Sequence, residues 1–198
     1  LHSAGKLNIK VIKVPTPPLS WRIKNTFRFN HLKALFGVFV IVPISKFFGI
    51  MTGYGALKVV LVRSDGSRVN YGTVGYRMIT NAMVQFITDQ LQVETATFGD
   101  FKFHDSGVGV VAEAVTDTDM GTTDGEARVT GTQTEADVDS YQSVGTITYT
   151  TTKAITEHGL FNASTAGILM DRTVFAAINV GSGDSIQFTY QFNLTAGG

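Results

Sequence analysis

The stretch SIQFTYQFNL, residues 185–194, decides the fold class. Its apolar residues occupy every second position: Ile186, Phe188, Tyr190 and Phe192. Because neighbouring side chains of a strand point to opposite faces, these four lie together on one face. A strand with one apolar face needs a second layer of structure to cover it. The turn GSGD at 181–184 joins this strand to LMDRTVFAAINV at 169–180, which we predict to be the preceding strand.

Two longer stretches upstream carry the same kind of signal. YQSVGTITYTTTKAITEHGLF, residues 141–161, is rich in threonine and alternates polar with apolar residues, as a half-buried sheet does. ALKVVLVRSDGSRVNYGTV, residues 56–74, predicts two strands around the pair Asp65-Gly66. Because glycine tolerates the positive φ of a tight turn, this pair indicates a β-hairpin.

One stretch predicts a helix: YRMITNAMVQFITDQLQ, residues 76–92. Its apolar residues at three- and four-residue spacing are Val84, Ile87 and Leu91. Thr80 or Asn81 can cap the first turn. A helix this short is stabilised mainly by packing its apolar stripe on another element, here the sheet.

The polar stretch 112–140 predicts exposed loop, with an edge strand near 128–134. Together with the segments above, the chain combines short strands, one helix and turns rich in glycine, threonine and aspartate. We therefore predict a mainly β protein. Its architecture is expected to be an antiparallel β-sandwich, jelly-roll-like, with one short helix and an extended N-terminal arm.

Charge divides the chain near residue 50. Residues 1–50 contain eight lysines and arginines and no aspartate or glutamate. The rest carries the other eight basic residues and all 16 acidic ones, so a net charge of zero conceals two oppositely charged parts. We predict a basic, apolar, proline-containing arm at 1–50 and a β-sandwich domain at 51–198. The acidic body should repel phosphate backbones, so no direct nucleic-acid contact is expected for 51–198.

The arm has three interpretations. It is uncharged from Ala34 to Ser45, a run too short to span a bilayer as a helix of about 20 residues. It can be an arm that docks on a neighbouring subunit, a membrane-associated segment, or an upstream extension that precedes a natural start at Met51. The absence of acids before residue 51 and the regular pattern after it favour the upstream extension.

The adjacent pair Glu157-His158 raises the question of acid–base catalysis. In a strand the two side chains point to opposite faces, and the sequence names no nucleophile or orienting group beside them. The segment FHDSG, residues 103–107, holds His, Asp and Ser, but catalytic triads are assembled from residues distant in sequence. We predict that both segments are structural and that the chain is not an enzyme.

The acidic segment DTDMGTTDGE, residues 117–126, offers oxygen ligands of the kind that calcium prefers. The helix–loop–helix calcium pattern fails, because Gly121 stands where aspartate or asparagine is required. The chain has no cysteine, and its four histidines lack metal-binding spacing. We predict a solvated acidic loop, no metal site and no cofactor.

Five stretches of the body resemble, in order, small virion proteins of tailed bacteriophages. They are GYRMITNAMVQFITDQLQ, FKFHDSGVGVVAEAVTDTDM, GEARVTGTQ, YQSVGTITYTTTKAITEHGLFN and ILMDRTVFAAINVGSGDSIQFTYQFNLTAGG. The resemblance covers 51–198 and does not extend to 1–50. Where similar proteins keep GTGT after the His-Asp-Ser stretch, this chain has GVGV at 107–110.

The resemblance implies a β-rich particle component that buries surface against its neighbours. We expect a capsid cement or decoration protein on the phage head surface, which stabilises the head by bridging capsid subunits. The alternative is a tail or tail-fibre component, either an adaptor or a binder of a host-surface glycan. The expected partners are the major capsid protein and further copies of the chain, as a dimer or trimer, with no membrane partner.

Two sets of residues carry these expectations. Exposed tyrosines favour the glycan-binding alternative, and the candidates are Tyr71, Tyr76 and Tyr141. The candidate interface residues, chosen because we expect them to be exposed, are Asp117, Asp119, Asp124, Glu126, Glu157, His158 and Phe161.

Overall fold

The computed structural model describes residues 15–48, 52–77, 79–92, 100–137 and 139–195. Met51, the proposed alternative start, lies outside the described residues. The strands are β1 (Thr52–Val62), β2 (Arg68–Arg77), β3 (Phe103–Gly107), β4 (Val129–Thr130), β5 (Thr132–Asp137), β6 (Ser140–Thr148), β7 (Lys153–Phe161), β8 (Leu169–Val180) and β9 (Ser185–Thr195). The helices are α1 (Leu19–Thr26), α2 (Phe29–Phe36), α3 (Val42–Phe47) and α4 (Asn81–Gln92), and a π-helical segment, Gly37–Ile41, joins α2 to α3.

Two antiparallel sheets form a mainly β sandwich, which confirms the predicted fold class. The strand order is β2-β1-β9-β6-β5 in the five-stranded sheet and β4-β3-β7-β8 in the four-stranded sheet. The apolar face predicted for β9 is buried, with the side chains of Ile186, Phe188 and Tyr190 fully covered. They pack against side chains of the facing sheet, including Leu160 and Phe175, so the core lies between the two sheets.

The predicted hairpin at Asp65-Gly66 is confirmed. Gly66 has a φ of +83°, a value that favours glycine. The Asp65 carboxylate accepts a hydrogen bond from the Ser67 N–H at 2.8 Å, and the Arg63 N–H reaches the Ser67 carbonyl at the same distance. These bonds fix the register of β1 against β2.

The predicted helix is confirmed as α4, although residues 76 and 77 belong to β2. The predicted apolar stripe is wrong at two of its three residues, since only Ile87 packs against the core. The Thr80 hydroxyl accepts from the Met83 N–H at 3.2 Å, so Thr80 caps the helix as predicted. Val84 and Leu91 are exposed, and the buried side chains are Met83 and Phe86. The Phe86 ring packs edge-on against Phe101 at 5.1 Å, so the larger aromatic contact turns the buried face by one position.

The two edges of the sandwich close in different ways. At one edge the chain crosses between the sheets from β4 to β5 through Gly131. A Cβ at Gly131 would lie 2.5 Å from the Ser143 hydroxyl and 2.6 Å from the His104 ring, so the close crossing requires glycine. At the other edge, between β2 and β8, helix α1 of the arm covers the gap.

Asn25 fastens α1 to this second edge. Its side-chain amide donates to the Val74 carbonyl of β2 at 2.8 Å and accepts from the Ala176 N–H of β8 at 3.1 Å. Asn25 is only 4% exposed, so water does not compete for either bond. The Trp21 indole also donates to the Ala176 carbonyl at 2.9 Å and packs against the Tyr71 ring. The arm therefore packs on the body of its own chain, and the helices it contains were not predicted from the sequence.

Candidate functional site

The helical segment 29–48 presents a row of exposed apolar side chains, which we name the arm face. Its members are Leu32, Phe36, Phe39, Val40, Ile41, Ile44, Phe47 and Phe48. The four phenylalanines are between 58% and 82% exposed, and because a phenylalanine covers about 150–250 Å² they leave roughly 400–700 Å² in contact with water. This exposed apolar area is comparable to the largest apolar patch of a typical monomer, which is often functional. We therefore take the arm face as the candidate interaction site.

The arm face is held on a defined support. The Asn30 side chain donates to the Glu113 carbonyl at 3.0 Å, and the Phe39 ring packs edge-on against Tyr76 of β2 at 5.9 Å. The π-helical segment Gly37–Ile41 contributes Phe39, Val40 and Ile41 to the arm face, and such segments are frequent at functional sites. The segment is thus attached to the sandwich while most of its apolar side chains point to solvent.

A cavity of about 540 Å³ separates the arm from the body. Its walls combine aromatic rings, Phe36, Tyr54 and Tyr76, with the polar residues Lys33 and Glu113. A concave, mainly apolar site with a few polar groups is typical of small-ligand pockets. This cavity contains Tyr76, one of the three tyrosines proposed for glycan binding.

The other two tyrosines are committed to internal contacts. The Tyr71 ring packs against Trp21 at 4.6 Å. The Tyr141 hydroxyl donates to the Phe101 carbonyl and accepts from the Gln133 side chain. Both side chains are half-buried, and these contacts hold them against the body.

The pair Glu157-His158 divides between the two faces of β7, as predicted. Glu157 faces outward under the loop 108–122, and His158 faces the core, where its ring packs on Phe188 at 4.5 Å. The expected exposure is wrong, because both side chains are 0% exposed. They therefore present no surface to a partner, and no reacting pair forms.

Glu157 clamps a loop onto the four-stranded sheet. One carboxylate oxygen accepts from the Gly109 N–H at 3.0 Å and the Thr122 N–H at 2.7 Å. The other accepts from the Gly121 N–H at 3.1 Å and from the Arg172 guanidinium at 2.7 Å. A buried charge is tolerated only when it is paired and hydrogen-bonded in this way. A Cβ at Gly109 would collide with the carboxylate, which explains a glycine at that position.

Arg172 completes the clamp on the outer side. Its guanidinium also binds the Asp117 carboxylate at 2.9 Å and the Val111 carbonyl at 3.1 Å. Burial alone would lower the pKa of Arg172, but its bonds to Asp117 and Glu157 outweigh this and raise it. In the sequence, the signal for this contact is Arg172 itself, a charged residue in the largely apolar stretch 169–180, because a buried charge needs a partner.

The core contains a second polar group, formed by His104, His158 and Ser143. Nδ1 of His104 lies 2.9 Å from Nε2 of His158, and its Nε2 lies 2.8 Å from the Ser143 hydroxyl. Burial lowers the pKa of His104 to about 4, so the ring is neutral at neutral pH. A neutral imidazole can donate one of these bonds and accept the other, so the group joins the two sheets without burying a charge.

The acidic residues 117–126 mostly bind the sandwich. Asp124 accepts from the Ser106 hydroxyl at 2.5 Å, and Asp119 pairs weakly with Arg128 at 3.4 Å. The Glu126 carboxylate binds the Lys153 ammonium at 2.5 Å, a bond that lowers the pKa of Glu126 to about 2. Together with Asp117, these carboxylates pin the loop to the sheet. Asp119 remains largely exposed, with 69% of its side chain accessible.

Phe161, the last candidate interface residue, is 1% exposed, so its expected exposure is wrong. The Arg128 guanidinium lies over its ring at 3.3 Å and also binds the Asp105 carboxylate at 2.9 Å. Burial raises the pKa of Asp105, although the Arg128 bond opposes this. Phe161 belongs to a satellite cluster with Met120 and Leu169 under the loop.

The segment FHDSG, residues 103–107, forms no catalytic arrangement among the described residues. His104 reaches Ser143, whereas Ser106 binds Asp124 and the Tyr149 hydroxyl, at 3.1 Å. Within the described ranges, no three His, Asp or Glu side chains are grouped so that they could hold a metal ion.

Sequence reasoning missed the residues that attach the arm to the body. Asn25 and Trp21 carried no local signal, because their partners are more than 45 residues away in sequence.

Over the part of the chain that the structure describes, no single helix is long and apolar enough to cross a membrane. The helical stretches Leu19–Thr26 and Asn30–Ser45 reach that length and hydropathy only as a pair bent by 70°. The chain matches no protein-family model and no curated protein.

Proposed function

We propose that the chain is a structural protein of a tailed-phage particle: a capsid cement or decoration protein that stabilises the head by bridging neighbouring capsid subunits. The observation that carries the proposal is the arm face, a fixed row of exposed apolar side chains on an otherwise well-packed sandwich. The resemblance of 51–198 to phage virion proteins is the reason for proposing a phage particle. The partners are the major capsid protein and further copies of the chain, and neither a membrane nor a cofactor has a part in this function.

The attachment of the covering loop to the body supports this role. A cement protein transmits force between subunits, and the loop that covers the four-stranded sheet is tied down by the buried Glu157 and Arg172. The charged side chains in that region satisfy one another, as in a scaffold. The proposal therefore assigns no catalytic residue and places the working surface on the arm face.

Immunogold labelling of intact particles tests the location. The antibody is raised against 51–198 and applied to purified virions of the phage that encodes the chain. Gold over the head is the expected result. Gold at the tail would favour the second candidate below, and unlabelled particles, with the antigen detected in infected cells and on disrupted particles, would exclude a surface cement.

A binding assay tests the surface. Heads that lack the protein are mixed with purified chain, and the bound fraction and the temperature of DNA release are measured. Phe47→Ser removes an 82% exposed ring and should weaken binding about tenfold or more, since each 1.4 kcal/mol is tenfold in Kd. Val111→Ser, at a 74% exposed apolar position on the body, is the matched control and should bind as wild type.

The second candidate is a tail component that binds a host-surface glycan. The cavity between the arm and the body favours it, because Tyr54 and Tyr76 offer aromatic faces beside the polar Asn30 and Glu113. Binding of soluble host glycans, followed by calorimetry with wild type and Tyr54→Ala, tests it. Saturable binding that Tyr54→Ala removes would support this candidate, and no heat with any host glycan would reject it.

A further inference from the structure

The five-stranded sheet carries chemically opposite groups at its two ends. Strand β2 forms one end, and the arm packs there, with exposed Lys33 beside the arm face. Strand β5 forms the other end, and the strands β1, β9 and β6 separate the two. All six residues of β5 are exposed, so nothing among the described residues covers that end.

A groove of about 530 Å³ lies at the β5 end. Its floor is apolar and formed by Tyr141, Phe192 and Leu194, of which Leu194 is 43% exposed. Its rim carries the carboxylates of Glu135, Asp137 and Asp139. The groove thus has the composition that complements an apolar helix flanked by lysines.

We propose that the arm face of one copy docks in the β5 groove of a second copy, head to tail. The inference deepens the proposed function, on which it rests, by naming a second copy as the partner of the arm face. Apolar side chains such as Ile44 and Phe47 would meet the floor of the groove. Lys33 would meet the acidic rim.

Charge and size favour this partner. Two arm faces would repel each other, since the segment 29–48 carries Lys33 and Lys46 and no acidic residue, whereas acidic residues line the β5 groove. The exposed phenylalanines supply roughly 400–700 Å², close to the ≈800 Å² per partner of a standard interface. The groove end of the sheet is distinct from the arm end, so each copy can donate one contact and receive another.

A head-to-tail contact has a consequence for assembly. Because it joins different surfaces, it either closes into a ring or continues as an open chain. A trimer or a larger ring would satisfy every arm face. A symmetric two-fold dimer through the arms alone is excluded by this geometry.

Complementary charge reversals test the proposal on the full chain. Sedimentation velocity measures the mass of wild type, of Lys33→Glu, of the double variant Glu135→Lys/Asp139→Lys, and of Asp89→Lys as a control at an exposed carboxylate elsewhere. We expect wild type and the control to self-associate and each reversed variant to be monomeric, with apparent Kd raised about tenfold or more. Circular dichroism and urea midpoints of the variants check that they are folded.

The mixture of the two reversed variants decides the geometry. The arm of the double variant matches the acidic groove of Lys33→Glu, and the arm of Lys33→Glu, which is now acidic at this position, matches the basic groove of the double variant. Both contacts are therefore restored in a one-to-one mixture, which should self-associate with the two variants alternating. Failure of the mixture to associate, or a monomeric wild type at all concentrations, would overturn the inference. If the monomer still binds heads, or binds anionic phospholipid vesicles in place of itself, the arm face has another partner. Head binding is measured separately, so the proposed function can stand when this inference fails.

Discussion

Glu157→Gln is the sharpest test of how this sandwich is held together. The substitution keeps the shape of the side chain and removes its charge. In the native chain one oxygen accepts from the Gly109 and Thr122 N–H groups, and the other accepts from Gly121 and Arg172. A glutamine must place an NH₂ group against one of these two sets of donors.

The magnitude follows from the lost acceptors. If the NH₂ group faces Gly109 and Thr122, two backbone donors lose their acceptor at a fully buried site, at about 1–3 kcal/mol each. If it faces Arg172, a buried guanidinium keeps only Asp117 as a charged partner. Breaking a buried ion pair costs about 3–5 kcal/mol. The first orientation therefore predicts a loss of about 2–6 kcal/mol in the free energy of unfolding and the second a loss of about 3–5 kcal/mol, so we expect a value of about 3–5 kcal/mol.

Urea denaturation followed by tryptophan fluorescence and circular dichroism measures this loss. The midpoint should fall by about 1–2 M with an unchanged slope, and Tm should fall by about 6–20 °C for a domain of this size. Asp100→Asn is the control: Asp100 pairs with Lys102 but its side chain is 58% exposed, so the loss should stay below about 1 kcal/mol.

A loss for Glu157→Gln no larger than that of the control would refute the reasoning. It would mean that the loop 108–122 is held by other contacts and that the carboxylate is not a clamp. Amide hydrogen exchange at Gly121 and Thr122 gives an independent readout, since both N–H groups should exchange faster in the variant.

Three further predictions concern other parts of the fold. Asn25→Ala should lower the free energy of unfolding by about 2–4 kcal/mol, because it leaves a carbonyl of β2 and an N–H of β8 without hydrogen-bond partners. Urea denaturation measures this loss, and a loss under about 0.5 kcal/mol would argue against a role of Asn25 in holding this edge. The pKa of His104 in the folded chain is about 4, below its ordinary value. Its contribution to stability should therefore be complete above about pH 6.5 and decline by about 3 kcal/mol as the pH falls to about 4. Urea midpoints from pH 8 to 4 test this, and a flat profile that His104→Gln leaves unchanged would contradict it. Gly145→Ala should destabilise the fold by about 1–3 kcal/mol, since its Cβ would lie 2.5 Å from the His104 ring. Gly37→Ala is the control, because its Cβ meets nothing within 4 Å and the change should be neutral or stabilising. Equal Tm values for the two variants would contradict the prediction.

The sheet was predictable because its signals are local. The alternation in 185–194 and the Asp65-Gly66 turn each depend on neighbours in sequence, and both are confirmed. The predicted stripe of α4 was wrong at Val84 and Leu91 because the apolar residues form two overlapping faces, and the contact of Phe86 with Phe101 determines which face is buried. Only the position of Phe101 in the folded chain carries that information.

The exposure of Glu157, His158 and Phe161 was misjudged for a different reason. Strand periodicity correctly separated Glu157 from His158, but it does not say what covers the outer face of a sheet. The covering loop reaches Glu157 through backbone N–H groups, which every sequence possesses, so no residue type announced the contact. A glycine at 109 and an arginine at 172 were the available hints.

The contact of Asn25 with β8 can form only after most of the chain has been synthesised. One partner of its amide, Ala176, follows 151 residues later in the chain. At about 5–20 residues per second, the ribosome makes the arm roughly 8–30 s before the strand that receives it exists. During that interval Asn25 has no β8 strand to bind, and the arm cannot yet be held against a complete sandwich. The arm face is therefore exposed on the growing chain before the sandwich is complete, and the yield of the protein in the cell will depend on chaperones that bind nascent chains.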